Sequence, residues 1–232
     1  MSELAITWYG HSNVMISEGG VSVLVDPFFE GNPFAPQWKS IPAPDIVAVT
    51  HDHSDHLGQA LEIALATGAS VACIVELANY FTEHGVPSSR IMNCGMGWNI
   101  GGTVEEKGVR MTMTLAFHSA GRGVPVGFVI EMPGGHRVYH AGDTGLFGDM
   151  ALIGERFSLD VVMLPVGGVF TMDGEDAARA AALLKASAAM PMHYGTFGVL
   201  AQTPEVFFKA LPLHAPDCRP LLLNPGQTIA LA

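Results

Sequence analysis

Four side chains that can bind a metal fall within six consecutive positions: His51, His53, Asp55 and His56. Imidazole nitrogen and carboxylate oxygen are ligands that zinc and similar divalent metals accept readily, and a compact turn supplies several of them at little ordering cost. The alternative is a solvated polar turn in a chain with ten histidines. The density of ligand side chains favours the metal site.

Three further polar residues lie where apolar runs end. His118 follows one such run, Asp143 follows another after two small residues, and His193 follows a third. A single histidine at such a position is more often a core residue that hydrogen-bonds to the backbone. Three coincident cases favour a shared site, because binding sites are commonly built at the ends of strands.

The hydrophobic pattern places the histidine cluster at a junction between two elements. Residues 45–50, which are apolar from Ile46 to Val49, form a run typical of a buried strand that ends directly in His51. After Asp55, apolar residues recur at helical spacing up to Gly68. The cluster is therefore predicted to lie on a strand-to-helix turn.

Strands and helices alternate along the rest of the chain in a way that predicts two sheets packed face to face, with helices outside. Residues 26–44 form a turn-rich loop whose aromatic side chains either line a pocket or fix the loop on the sheets. No linker divides the chain, so we expect one domain over residues 1–232. The other predicted strands are 4–9, 13–17, 21–25, 71–75, 111–117, 126–132, 137–140 and 159–164, with short ones at 221 and 228, and the other predicted helices are 76–84, 173–186 and 204–211.

The H-x-H-x-D-H motif of residues 51–56 resembles that of the metallo-β-lactamase superfamily, whose later histidine, aspartate and histidine are met by His118, Asp143 and His193. More narrowly, the chain looks like a branch of metal-dependent hydrolases related to ascorbate-6-phosphate lactonase and N-acylphosphatidylethanolamine phospholipase D. The segments that carry this second resemblance are Trp8–Ser12, Val25–Pro27, His140–Thr144 and Met192–Phe197.

The resemblance implies an α+β fold, a four-layer αββα sandwich with two divalent ions at one edge. Zinc is the expected metal, with manganese, nickel and iron as alternatives. Two adjacent cations would ionise a bridging water near neutral pH and make it the nucleophile of a hydrolysis. The implied ligands are His51, His53 and His118 for one ion, Asp55, His56 and His193 for the other, and Asp143 as the bridge.

The candidate catalytic residues are Asp55, His11 and His140. His11 and His140 each have two interpretations: a group that supports the site or donates a proton, or a buried histidine satisfied by the backbone. Asp26 either hydrogen-bonds a metal-binding imidazole or occupies an ordinary turn before a proline. Arg122 either meets an anionic substrate or lies solvated on its loop.

Charge and composition restrict the function classes. The net charge of −11 disfavours nucleic acid as a partner. Two divalent ions with two carboxylates and a hydroxide leave a local charge of about +1, which favours a small anionic ester, phosphodiester or lactone as substrate. A charged fraction of 14% favours a homo-oligomer, since part of the surface is uncharged.

The sequence also predicts where the protein resides and what its cysteines do. The N-terminal residues do not form a secretory signal, and no apolar run reaches the length of a membrane span, so we expect a cytoplasmic protein without membrane insertion. Cys73, Cys94 and Cys218 lack the spacing of a zinc knuckle or redox motif and are expected to be buried.

Three other functions fit the same ligand set. A tRNA-processing nuclease would need a basic surface, whereas the eleven basic residues here are scattered along the chain. An iron-dependent oxidoreductase often needs an additional flavin domain, for which the chain has no room. A non-catalytic metal-binding protein is the third alternative, because a complete ligand set does not prove turnover.

Overall fold

The first of two β-sheets in the computed structural model, which describes residues 2–231, combines an antiparallel meander with parallel strands. Its strands are β1 (Leu4–Trp8), β2 (Val14–Glu18), β3 (Val21–Val25), β4 (Ile46–Ala48), β5 (Ser70–Ala72) and β13 (Thr228–Leu231). They lie in the order β13-β1-β2-β3-β4-β5. Pairing is antiparallel from β13 to β3 and parallel from β3 to β5, so the segment that follows β4 leaves the sheet at the carboxyl ends of the parallel strands.

The second sheet has seven strands, and its parallel part carries most of the remaining polar strand ends. The strands are β6 (Thr103–Glu106), β7 (Val109–Leu115), β8 (Val126–Glu131), β9 (Arg137–His140), β10 (Val161–Pro165), β11 (Ala188–Met192) and β12 (Arg219–Pro220). They lie in sequence order across the sheet, from β6 at one edge to β12 at the other. The strands β9 to β12 run parallel to one another.

Six α-helices connect or flank the strands: α1 (Ser54–Leu57), α2 (Ala60–Thr67), α3 (Val75–Glu83), α4 (Met150–Arg156), α5 (Gly174–Leu183) and α6 (Glu205–His214). The Asp173 side chain caps α5 by accepting a hydrogen bond from the backbone N–H of Asp176. Each helix within the described part of the chain is too short or too polar to cross a bilayer.

Hydrophobic side chains from both sheets form one core between them, to which Ile6 and Val23 contribute from the first sheet and Phe128 and Met163 from the second. A second core lies on the outer face of the second sheet, beneath α4, α5 and α6. This arrangement confirms the predicted α+β sandwich. The single domain over residues 1–232 stays a prediction, which the shared core supports.

The largest departure from the predicted elements is a break in the helix expected after Asp55. The chain forms α1 and α2 separated at Gly58, whose φ is +43° and whose added Cβ would lie 2.3 Å from the carbonyl oxygen of Pro27. The backbone of the 26–44 loop therefore passes too close to position 58 for a residue with a Cβ, so this position requires glycine. Cys94 is exposed, against the prediction that it is buried, because it lies in a tight turn with a φ of +56°.

Candidate metal centre

The predicted ligands sit just beyond the carboxyl ends of strands that share one edge of the sandwich. His51 follows β4, while His118, Asp143 and His193 follow β7, β9 and β11. The strands β7, β9 and β11 run in the same direction, since β7 and β9 are both antiparallel to β8 and β9 is parallel to β10 and β11. The fold thus brings residues that are far apart in the sequence close together.

Three histidines form the first group of facing nitrogens. His53 Nδ1 lies 3.0 Å from His51 Nε2 and 3.2 Å from His118 Nε2. One nitrogen from each ring lies within 4.8 Å of those of the other two. Three imidazoles at this separation have the spacing of ligands around one cation.

Asp143 lies between this group and a second one. Its Oδ1 is 3.2 Å from His56 Nε2, and its Oδ2 is 3.0 Å from His193 Nε2 and 3.6 Å from His118 Nε2. Ligand atoms of Asp55, His56 and His193 also lie within 4.8 Å of one another. One carboxylate therefore faces side chains of both groups.

Four buried polar atoms at this centre make no hydrogen bond in the described structure: His56 Nε2, Asp143 Oδ1 and both ring nitrogens of His193. Leaving such atoms unpaired away from water is costly, so buried polar groups nearly always have a partner. A divalent cation would use Nε2 of His56 and Oδ1 of Asp143 as ligands. The donor set therefore fits a metal.

Hydrogen bonds on the far side of the rings direct the remaining nitrogens inward. Thr50 Oγ1 donates to Asp26 Oδ2 at 2.8 Å, so it accepts from His51 Nδ1 at 3.0 Å and leaves His51 Nε2 free. His118 Nδ1 donates to the carbonyl oxygen of Phe170 at 3.1 Å, which likewise frees its Nε2. Fixing the tautomer in this way is a common support of metal-binding histidines.

Asp26 hydrogen-bonds the imidazole of a predicted ligand, as the first of its two sequence interpretations expects. Its Oδ2 accepts from His56 Nδ1 at 2.7 Å, and its Oδ1 accepts from the Thr50 backbone N–H at 2.8 Å. The carboxylate is fully buried, and its residue has a φ of +47°. Asp26 therefore orients His56 and the start of the histidine segment together.

Burial and neighbouring charges shift the pKa values of side chains at the centre in opposite directions. Burial lowers the pKa of His51 to about 2 and also lowers the pKa of His118, so both rings are neutral, as a ligand must be. Burial opposes a charge on His56 too, but the carboxylates of Asp143 and Asp26 outweigh it and raise its pKa. Burial likewise opposes ionisation of Asp143, but His56 and His193 hold its pKa well below the usual value.

His11 lies against the second ligand group. Its Nε2 is 3.1 Å from Asp55 Oδ2, its Nδ1 is 3.0 Å from Thr196 Oγ1, and its ring centroid is 4.0 Å from that of His193. Burial lowers the pKa of His11 to about 4, and the neutral ring donates to Asp55 through Nε2. This position keeps it within the site as a support of Asp55, whereas Thr196 was not identified from the sequence.

His140 is turned towards the backbone. Its Nε2 donates to the carbonyl oxygen of Ser12 at 2.9 Å, and its Nδ1 accepts from the Gly142 N–H at 3.2 Å. The ring is fully buried. Both nitrogens are engaged by the backbone, so these contacts do not support proton transfer by His140, and its catalytic role stays a prediction.

Two other candidates also lie outside the ligand set. The Arg122 guanidinium is 3.5 Å from Asp52 and stacks over the ring of Tyr80, so its charge is already engaged. The aromatic loop encloses a cavity of about 430 Å³ lined by residues such as Phe29 and Trp38, but none of the seven predicted ligands lines it. Neither feature meets the metal centre directly.

Replacing Asp26 should both destabilise the fold and weaken the metal site. Asp26→Ala leaves the buried Thr50 N–H and His56 Nδ1 without a hydrogen-bond acceptor. We expect the metal-free protein to lose about 3 kcal/mol of unfolding free energy. Second-ion affinity should fall by about 10- to 100-fold, as for other lost partners of metal ligands. Denaturant unfolding in chelator and metal titration measure the two effects.

Asp45→Ala is the matched control, because Asp45 also accepts hydrogen bonds from a backbone N–H and a hydroxyl, both of Ser22, but is 38% exposed and remote from the centre. We expect it to cost about 1 kcal/mol and to leave metal affinity unchanged. Equal losses of metal affinity in both variants would refute the positioning role of Asp26.

Comparison with known proteins agrees with this geometry. A sequence profile of the β-lactamase superfamily domain matches residues 22–194. A UPF0173 metal-dependent hydrolase of Nitratidesulfovibrio vulgaris is 52% identical over 227 residues, which cover 97% of this chain and 95% of that protein. The chain belongs to the metallo-β-lactamase superfamily. This confirms the resemblance to the superfamily that the H-x-H-x-D-H motif carries.

Other members of the superfamily match over the full length. A UPF0173 metal-dependent hydrolase of Methanosarcina mazei is 42% identical over 240 aligned positions, covering all of both chains. The metallo hydrolase Igni18 of the archaeon Ignicoccus hospitalis is 35% identical, with a TM-score of 0.89 and 99% of each chain covered. This metallo-β-lactamase superfamily chain is a metal-dependent hydrolase with a histidine and aspartate cluster able to bind metal.

Proposed function

We propose that the protein is a dinuclear metal-dependent hydrolase that cleaves a small anionic ester, phosphodiester or lactone. The observation that carries this proposal is the position of Asp143, whose carboxylate lies 3.2 Å from His56 and 3.0 Å from His193 of the second group and 3.6 Å from His118 of the first. A carboxylate shared in this way suits two adjacent cations better than one.

The proposed ion positions follow the two groups of side chains. When bound, the two ions, which we propose to be Zn²⁺, supply a bridging hydroxide near neutral pH and stabilise the oxyanion of the reaction. Imidazole-rich sites bind zinc more tightly than manganese or iron, and manganese, nickel and iron are the alternatives. The proposed ligands are His51, His53 and His118 for the first ion, Asp55, His56 and His193 for the second, and Asp143 for both.

The supporting residues have separate tasks in this proposal. His11 donates to one oxygen of Asp55 and leaves the other for the second ion or for the proton of the attacking water. His140 fixes Gly142, and with it the turn that carries Asp143, through its two backbone hydrogen bonds. We therefore assign His140 a positioning role and not a proton transfer.

Replacing His11 tests its role through the metal as well as through turnover. His11→Asn suits the φ of +55° at this position but loses the bond to Asp55, and we expect second-ion affinity to fall by about 10- to 100-fold. Thr196→Val removes the bond on the far side of the ring and the bond from this hydroxyl to the carbonyl oxygen of Tyr194, and it should have a smaller effect in the same direction. Zinc titration distinguishes the two variants, and unchanged affinity in His11→Asn would refute the role.

The charge of the centre supports the proposed substrate class. A net charge of about +1 at the ions within a chain of −11 favours an anionic or carbonyl oxygen. The same overall charge makes nucleic acid a poor partner. A homo-oligomer and a cytoplasmic location stay predictions of the sequence.

A substrate panel tests the proposed function. Protein purified without added metal is analysed for its metals and then assayed, with zinc and with manganese, on phosphodiesters, phosphomonoesters, lactones and amides. Metal-dependent hydrolysis of an ester, phosphodiester or lactone that chelator abolishes supports the proposal. Bound iron without hydrolysis of any substrate would favour the oxidoreductase, and bound zinc without hydrolysis would favour a non-catalytic protein.

A further inference from the structure

Four large apolar side chains are exposed on loops that carry the proposed ligands or contact them: Phe117 at 59%, Val169 at 74%, Phe170 at 57% and Phe197 at 38%. We call these residues the apolar rim. Exposed apolar side chains are ordinary when scattered singly, whereas a group of them beside a site suggests a binding surface. The rim is not used by the chemistry described above.

Hydrogen bonds and ring contacts attach the rim to the metal centre. Phe117 directly precedes His118, and its N–H donates to Thr144 Oγ1, next to Asp143. The carbonyl oxygen of Phe170 accepts from His118 Nδ1 at 3.1 Å. The Phe197 ring lies edge-on to His11, at 5.5 Å between centroids. A molecule held at the metals therefore lies close to the Phe197 ring and to the backbone that carries Phe117 and Phe170.

Val169 is held in a conformation that β-branched residues rarely adopt, with a φ of +56°. Hydrogen bonds from Gly168 N to Met172 O and from Met172 N to Thr144 O fix this turn next to the Asp143 segment. Strained residues persist only where their surroundings determine them, and they cluster at binding sites. The turn keeps the side chains of Val169 and Phe170 outside the core.

The ligand loops offer little positive charge to a substrate beyond the metals. Residues 117–123, 167–173 and 193–202 contain one arginine and no lysine. That arginine, Arg122, faces the carboxylate of Asp52. A second anionic group on the substrate would find one half-exposed arginine that is paired with Asp52, whereas an apolar group would cover the rim.

We propose that the apolar rim binds an uncharged alkyl or aryl group next to the scissile bond, so that the substrate is an ester, lactone or phosphodiester with an apolar substituent. This inference rests on the proposed hydrolase function. The single anionic or carbonyl oxygen goes to the metals, and the substituent covers Phe170 and Phe197. Covering them removes apolar surface from water and strengthens binding with each added methylene.

Binding of alkyl hydroxamic acids tests the inference without requiring turnover. The hydroxamate chelates zinc, and its chain is lengthened from acetohydroxamic to octanohydroxamic acid while calorimetry measures Kd on the zinc-loaded protein. We expect Kd to fall about two- to fourfold per methylene, fourfold being the limit for complete burial. In Phe170→Ser and Phe117→Ser, this dependence should flatten while acetohydroxamic acid binds as before.

Leu213→Ser is the matched control, since Leu213 is 78% exposed on α6 and should leave the chain-length dependence intact. A flat dependence in the unmodified protein, or an equal dependence in all variants, would overturn the inference. So would rim-dependent binding to phosphatidylcholine vesicles or rim-dependent dimerisation, because the rim would then meet a lipid surface or a second copy. Chain-length dependence without hydrolysis of any ester would refute the proposed function and leave the apolar site standing.

Discussion

Asp143→Ala should lose both the second ion and nearly all hydrolytic activity. The substitution removes a negative charge from between two cations, so that their repulsion is less screened and the bridging solvent loses a partner. We expect turnover on the best substrate of the panel to fall on the order of 10²- to 10³-fold, the usual cost of losing one electrostatic contact to the reacting atoms. Elemental analysis should show fewer than two ions per chain.

Two further variants complete this test: one removes only the charge of Asp143, and the other is a remote control. Asp143→Asn keeps the size of the side chain and removes its charge, and it should fail in the same direction. Asp217→Ala removes an exposed carboxylate after α6, far from the centre in the fold, and should retain two ions and full turnover. If Asp143→Ala kept two ions and near-normal turnover, the bridging role and the hydroxide mechanism would be wrong.

His193→Ala should empty mainly one metal position. His193 contacts Asp143 Oδ2 at 3.0 Å and stacks at 5.7 Å on His56, whereas the first group of histidines does not depend on it. We therefore expect about one tightly bound ion per chain and a loss of turnover similar to that of Asp143→Ala. Zinc titration followed by elemental analysis measures the occupancy.

His53→Ala provides the reciprocal test, because His53 Nδ1 lies between His51 and His118 in the first group. It should empty the first position and leave the second largely filled. His84→Ala, at an exposed histidine that bonds only the carbonyl oxygen of Tyr80, should change neither. Loss of both ions from each of the two site variants would show that the ions do not occupy separable positions.

The ligand chemistry could be predicted from the sequence because much of it is local. His51, His53, Asp55 and His56 sit within one turn, and the strand before them is apolar throughout. The more distant ligands could be found because each follows an apolar strand pattern within three residues, and the resemblance to the superfamily assigned them to shared positions. The two-sheet sandwich followed from the same alternation of strands and helices.

The supporting contacts could not be predicted because they join distant parts of the chain. Asp26 reaches His56 across 30 positions, and as an aspartate before a proline it is equally typical of a turn. His140 bonds the carbonyl oxygen of Ser12, 128 positions away, so its backbone partners are invisible in sequence. The break at Gly58 depends on the approach of Pro27, which only the folded chain brings about.

Weak local patterns explain why strand β6 and helix α4 were not predicted. Strand β6 has the sequence Thr-Val-Glu-Glu, and its side chains alternate between exposed and half-buried at the edge of the second sheet. Helix α4 spans seven residues with one buried side chain, Met150. Neither segment carries enough periodic apolar residues to be distinguished from a loop.

Anomalous diffraction from a crystal of the zinc-loaded protein tests the two-ion centre most directly. We predict two peaks of comparable height about 3.5 to 4 Å apart, with Asp143 between them. One peak should lie among His51, His53 and His118, and the other beside His56 and His193. A single peak at full zinc saturation, or a second ion bound away from Asp143, would contradict the account.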